Sequence, residues 1–190
     1  MTTLWRIKMD VPETLNFAIF VGYAFKILPD IVFDDKVNKW PVKKYSIEES
    51  LSHDELREAW IDWWGGLLKG RQESKQKLSR PHTDGITSQK FKDLCEEVWP
   101  DFHEWWSMPA GGHMAMTTYT TMGNGEVRAL IKEFEERLGR SVQRFSLEVD
   151  LVYAGIGEVM EVSSDYVVMP ITPPPYYNTE WWRKKISEIG

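Results

Sequence analysis

Gln143 to Tyr153 reads QRFSLEVDLVY. Phe145, Leu147, Val149, Leu151 and Tyr153 alternate with Arg144, Ser146, Glu148 and Asp150, the period of two that marks a strand with one covered face. Ala154-Gly155-Ile156-Gly157 then supplies a reversal, and Glu158 to Met169 a returning run. Together they predict an antiparallel β-hairpin over about residues 142–170. On that reading Glu148 and Asp150 sit on the solvated outer face. Glu158 and Glu161 sit on the second strand, where the register brings some of these acids side by side.

The stretches around this hairpin keep helical spacing. In Ser52 to Lys69 the serine and Glu55 form a capping-box pattern, and Leu56, Trp60, Trp63, Trp64, Leu67 and Leu68 recur three and four apart. Three indoles on one side would each bury about 150–250 Å², so this helix needs a broad partner surface. Gly65 and Gly66 suggest a kink, an early end or a close backbone approach there. Leu15 to Phe25 is apolar nearly all round and predicts a deeply covered helix starting near Pro12. Thr87 is read as the cap of a third helix through Phe91, Leu94, Cys95, Val98, Phe102, Trp105 and Trp106, kinked or restarted at Pro100. His113 to Met122 (HMAMTTYTTM) is read as a strand, because it is small, β-branched and uncharged apart from the histidine. Gly123-Asn124-Gly125 is read as a turn into a helix that Gly139 ends. Thr3 to Met9 alternates as a strand, residues 30–50 hold short strand-like runs, and 70–85 reads as a basic connection. Thr172-Pro173-Pro174-Pro175 is an extended connector before a last helix near Thr179. Strands and helices mix without β-α-β alternation. The expected class is α+β, an antiparallel sheet with its C-terminal hairpin covered by four or five helices.

The 190 residues suffice for one full core, and no linker divides them, so residues 1–190 are expected to form a single domain. The net charge of −6 argues against nucleic acid and leaves room for a basic protein partner. Cys95 is the one cysteine, so no internal disulfide forms, and its place on an apolar helical face predicts a buried, inert thiol. Nothing at the N-terminus has the order of a signal peptide, and no apolar run reaches the roughly 20 residues a membrane span needs. The expected location is the cytoplasm, with no membrane contact.

Chemistry-bearing motifs are missing from the sequence. There is no phosphate loop, dinucleotide fingerprint, nucleophile elbow, His-Glu-x-x-His helix or Cys-x-x-Cys pair. No cofactor, metal set or catalytic residue is assigned. His103 stands between Asp101 and Glu104 on what reads as a solvated helix face. His113, after two glycines, is positioned as a general base would be at the mouth of a pocket. The expected function is therefore a small acidic binding protein, in the manner of a stoichiometric inhibitor or a toxin-neutralising protein. Trp105, Trp106, Tyr176 and Tyr177 are its candidate aromatic anchors, each beside a proline-marked break. His113, Glu148, Asp150 and Glu161 complete the candidate binding set. Two alternatives stand beside it: a small-molecule enzyme with a pocket near Gly111-Gly112-His113, and a self-associating structural subunit. The oligomeric state does not follow from the sequence.

Overall fold

The computed structural model describes residues 5–29, 40, 45, 52–74, 83–154, 156–171 and 178–189. In chain order they form β1 (Trp5–Asp10), α1 (Glu13–Ala24), α2 (His53–Ser74), α3 (Gln89–Ser107), α4 (Gly112–Leu138), β2 (Phe145–Val152), β3 (Met160–Ser163), β4 (Tyr166–Pro170) and α5 (Thr179–Ile189). The class is α+β. The expected strand and turns in residues 30–50 lie mostly outside the described residues, as do residues 75–82 of the basic connection, Tyr176 and Tyr177; the first part of that connection, 70–74, belongs to α2.

The sheet is mixed, which corrects the antiparallel expectation. Its order is β1-β2-β4-β3, with β1 and β4 both parallel to β2 and only β3 antiparallel to β4. The returning run is two strands, not one. Ser164 and Asp165 turn the chain between them, the Ser163 hydroxyl donates to Asp165 Oδ1 at 2.8 Å, and the Glu148 N–H donates to the Asp165 carbonyl at 2.8 Å. The hairpin is thus the short β3–β4 pair. The second of its strands inserts beside β2. All five residues of β4 are buried, the uninterrupted apolar run of a strand covered on both faces.

Helix α1 is buried from Thr14 through Gly22. Its one amide side chain is fully used: Asn16 Nδ2 donates to the Pro12 and Leu151 carbonyls, both at 3.0 Å, and Asn16 Oδ1 accepts the Tyr153 N–H at 2.9 Å. A buried amide satisfied this way fixes α1 against the end of β2. The tryptophan helix α2 crosses α1, and Trp60 Nε1 donates to the Ala18 carbonyl at 2.7 Å. Gly65 and Gly66 face solvent with nothing near them, so the expected kink or early end does not occur and the helix runs to Ser74. Ser88, one residue after Thr87, caps α3 by accepting from the Phe91 N–H at 3.3 Å. That helix continues through Pro100, which lies on the exposed side together with Glu96, whose carbonyl water can serve.

The largest departure is α4. The expected strand His113–Met122 and the turn Gly123–Gly125 are one continuous helix to Leu138, closed by Gly139 in the left-handed region (φ 65°). Its buried positions, Gly112, Met116, Tyr119, Gly123, Val127 and Ile131, keep helical spacing through the supposed strand. Packing along that stripe outweighs the low helix propensity of threonine and glycine.

Candidate interaction surface

Helices α3 and α4 meet at a corner built by two glycines. A Cβ on Gly111 would stand 1.9 Å from the Trp105 carbonyl oxygen, and one on Gly112 2.2 Å from the Trp105 ring. The pair is not a flexible loop but the place where the α4 backbone touches an indole. Trp105 itself is half-buried, its ring 5.0 Å from Trp40 and 4.9 Å from Tyr153 between centroids. Trp106 is only 4% exposed, stacked on Phe102, which corrects its expected role as an exposed anchor.

Outside this corner lies an open concavity of about 360 Å³ whose lining includes Glu13, His103, Ser107, Met108, His113 and Met114. His103 Nδ1 is 3.3 Å from Glu13 Oε1, and Ser107 Oγ is 3.5 and 3.4 Å from His103 Nδ1 and Nε2. Serine, histidine and carboxylate in a row suggest a nucleophile relay. The distances argue otherwise. An oxygen nearly equidistant from both ring nitrogens lies on the lone-pair direction of neither, so the ring is not placed to take the serine proton. His113, exposed in the first turn of α4, sits 5.7 Å from the Trp106 ring between centroids.

The outer face of α4 is its least ordinary feature. From Met114 to Gly125 no residue is charged. Met114, Ala115, Thr117, Thr118, Thr121, Met122 and Gly125 are all exposed, opposite the buried Met116, Tyr119 and Gly123. The threonine hydroxyls are turned inward: those of Thr117, Thr118, Thr120 and Thr121 donate to the carbonyls of His113, Met114, Met116 and Thr117 at 2.8–3.0 Å. Each hydroxyl is satisfied by the backbone four residues earlier, which leaves the threonine methyls to face outward. Met114 and Met122 are 53% and 51% exposed. The stretch thus exposes a charge-free face whose two large side chains are methionines and whose threonine hydroxyl protons are engaged by the helix itself.

The acids are placed otherwise than expected. Asp150 is fully buried, not on a solvated face. By register Lys8, Asp10, Glu148, Asp150 and Tyr166 share one side of the sheet. Arg71, on the last turns of α2, reaches that side: its Nε donates to Asp150 Oδ2 at 2.8 Å, its Nη2 to Oδ1 at 2.5 Å, and Nη2 also lies 3.4 Å from Asp10 Oδ2. The Tyr166 hydroxyl donates to Asp150 Oδ2 at 2.9 Å. Burial pushes the Asp150 carboxyl upward in pKa, while the bonds from Arg71 and Tyr166 oppose that rise. Burial and the neighbouring carboxylate also raise the Tyr166 phenol above its ordinary value. The sequence reading missed Arg71. Its signal was there, because position 71 continues the buried stripe Leu56, Trp60, Trp63, Trp64 and Leu67 by one more turn.

Glu148 pairs with Lys8 at 3.1 Å. Glu161 lies on β3, two strands away from β2, so it does not stand beside Glu148 and Asp150. It accepts from Lys185 Nζ at 2.6 Å and from Trp181 Nε1 at 3.2 Å, and the lysine bond holds its carboxyl below the usual glutamate range. A second open concavity, about 320 Å³, lies between α4 and α5 over Leu130, Phe134 and Ile186, with Arg183 paired to Glu133 at its rim at 3.2 Å. Cys95 is fully buried, and burial raises its thiol pKa. Among the described residues no three His, Cys, Asp or Glu side chains converge as metal ligands, and no helix is long and apolar enough to cross a membrane. Comparison with protein-family models, curated proteins and solved structures gives no match for this chain.

Proposed function

We propose that this chain acts by binding a protein partner, with the outer face of α4 and the adjoining α3–α4 corner as its docking surface. The observation that carries this reading is an exposed, uncharged helix face whose threonine hydroxyl protons are already engaged by its own backbone, which lowers the cost of covering it. Exposed methionines at both ends of it, Met114 and Met122, suit such a surface, because an unbranched thioether adapts to the shape it meets. The acids Glu148, Asp150 and Glu161 contribute little here, since each is already engaged within the chain. A stoichiometric inhibitor or neutralising protein would turn such a surface to a foreign chain, and a self-associating subunit would turn it to its own copy.

The test is capture from the source cells with the native chain and with a Met114→Glu/Met122→Glu variant. One dominant, stoichiometric protein held by the native chain and lost from the variant is the expected result. Equal capture by both would remove α4 from the docking surface. A second reading, small-molecule turnover, has one observation behind it: Glu13, His103 and His113 share one concavity. A metabolite-library thermal-shift screen in which His113→Ala abolishes a specific stabilisation would favour it.

A further inference from the structure

We infer that the partner on the α4 face is a second copy of this chain, its α4 running antiparallel to the first about a twofold axis at Thr118. The inference rests on the docking reading above and names its occupant. In an isologous contact the same patch serves both copies, so it must complement itself. The exposed stripe does. Thr118 lies midway between Met114 and Met122, and again midway between Ala115 and Thr121. An axis at Thr118 sets the large Met114 of one copy beside Met122 of the other, and the small Ala115 beside Thr121. Large groups flank the contact and small ones occupy its centre, where two helix backbones come closest.

Charge selects the same arrangement. Each copy carries a net charge of −6, so a contact free of acids adds no local repulsion to that between the whole chains. Met114 to Gly125 is such a place. The first acid beyond it is Glu126, which is exposed. Antiparallel pairing about Thr118 brings Glu126 of each copy level with Ala110 of the other, just before its α4. That helix end has no acidic residue in its first turn, so the partial positive charge of the α4 N-terminus favours a carboxylate near it. Parallel pairing would set Glu126 against Glu126.

The contact runs from Gly111 to Glu126, about 22 Å at a rise of 1.5 Å per residue. One helix pair of that length lies at the small end of specific interfaces, so the dimer is expected to dissociate at about micromolar concentration.

The test combines sedimentation with cysteine cross-linking on the full chain. Native protein should approach twice the chain mass as its concentration rises through about 1–100 µM. Thr118→Cys lies on the axis and should form an intermolecular disulfide with itself under mild oxidation. Met114→Cys and Met122→Cys should cross-link when mixed but not alone, because like positions then stand about 12 Å apart, beyond disulfide reach. Buried Cys95 does not compete. Thr118→Glu, doubled on the axis, should weaken the dimer at least tenfold while its near-ultraviolet tryptophan spectrum stays native. A monomer throughout that range overturns the inference, as does a dimer in which Thr118→Cys fails to cross-link. If the chain is monomeric and Thr118→Glu loses a different captured protein, the docking reading stands without this occupant. If capture also survives Thr118→Glu, both fall.

Discussion

Two regions of this protein invert what their residues suggest. On the sheet face under α2, an aspartate and an arginine are buried: Asp150 is fully covered and Arg71 only 4% exposed. On the outer face of α4, a run from Met114 to Gly125 without one charge faces solvent. The same principle explains both. A polar group belongs inside when its hydrogen bonds are met there, and Asp150 has Arg71 and Tyr166. A polar group counts for little outside when its hydroxyl is already spent on its own helix, as for Thr117, Thr118 and Thr121. Residue type alone does not separate interior from surface; the location of each partner does.

The buried side of this contrast should break hardest. Asp150→Ala removes the buried carboxylate that accepts from the Arg71 guanidinium and the Tyr166 phenol, and is expected to cost about 3–5 kcal/mol in urea unfolding. Replacing both partners, as Arg71→Met with Asp150→Leu, should cost less than that single change, since no buried charge is then stranded. A double variant as unstable as the sum of its singles would mean that the two side chains act independently.

Next is the junction where the exposed face begins. Gly112→Ala, at the first residue of α4, drives a Cβ into the Trp105 ring, so a net loss of about 1–2 kcal/mol is expected, with altered tryptophan fluorescence. An unchanged spectrum and raised stability would show that the corner yields easily. Gly65→Ala and Gly66→Ala form the counterpart in α2, where a Cβ meets nothing within 4 Å. Each should stabilise by about 0.5–1 kcal/mol.

The smallest effects belong to the exposed sites. Thr121→Val keeps the outward methyl and gives up only the hydroxyl's bond to its own helix, so unfolding stability should change by less than about 0.5 kcal/mol. A larger loss would mean that the back-bond itself supports α4. Glu161 shows the pH side of surface pairing. Its folded pKa is lowered by Lys185, so its contribution is present above the ordinary glutamate pKa and fades as pH falls through the folded value. An NMR titration should find the Glu161 carboxyl ionising below the usual glutamate range, and Lys185→Met should move it back up.

These contrasts also mark what a reader of the sequence can see. The tryptophan helix, the covered α1, the helix ending at Gly139 and the strand Phe145–Val152 were legible, because each carries a long apolar period that only one secondary structure satisfies. The first half of α4 was not. Threonine-rich, charge-free sequence has a strand's composition, and only the buried stripe Met116, Tyr119, Gly123 and Val127 betrays a helix. The candidate site fared in the same way. Trp105, Trp106 and His113 do gather at one corner, but the indole expected outside, Trp106, is inside.

Local pattern by itself determined α1, α2, α3 and β2, since capping, periodicity and turn chemistry act within a few residues, but not the first half of α4. Strand order, the parallel insertion of β4 beside β2 and the burial of Asp150 were decided only by tertiary structure. Each depends on a partner far along the chain, as Arg71 lies 79 residues from Asp150. No window of sequence around an aspartate can contain the arginine that makes its burial possible.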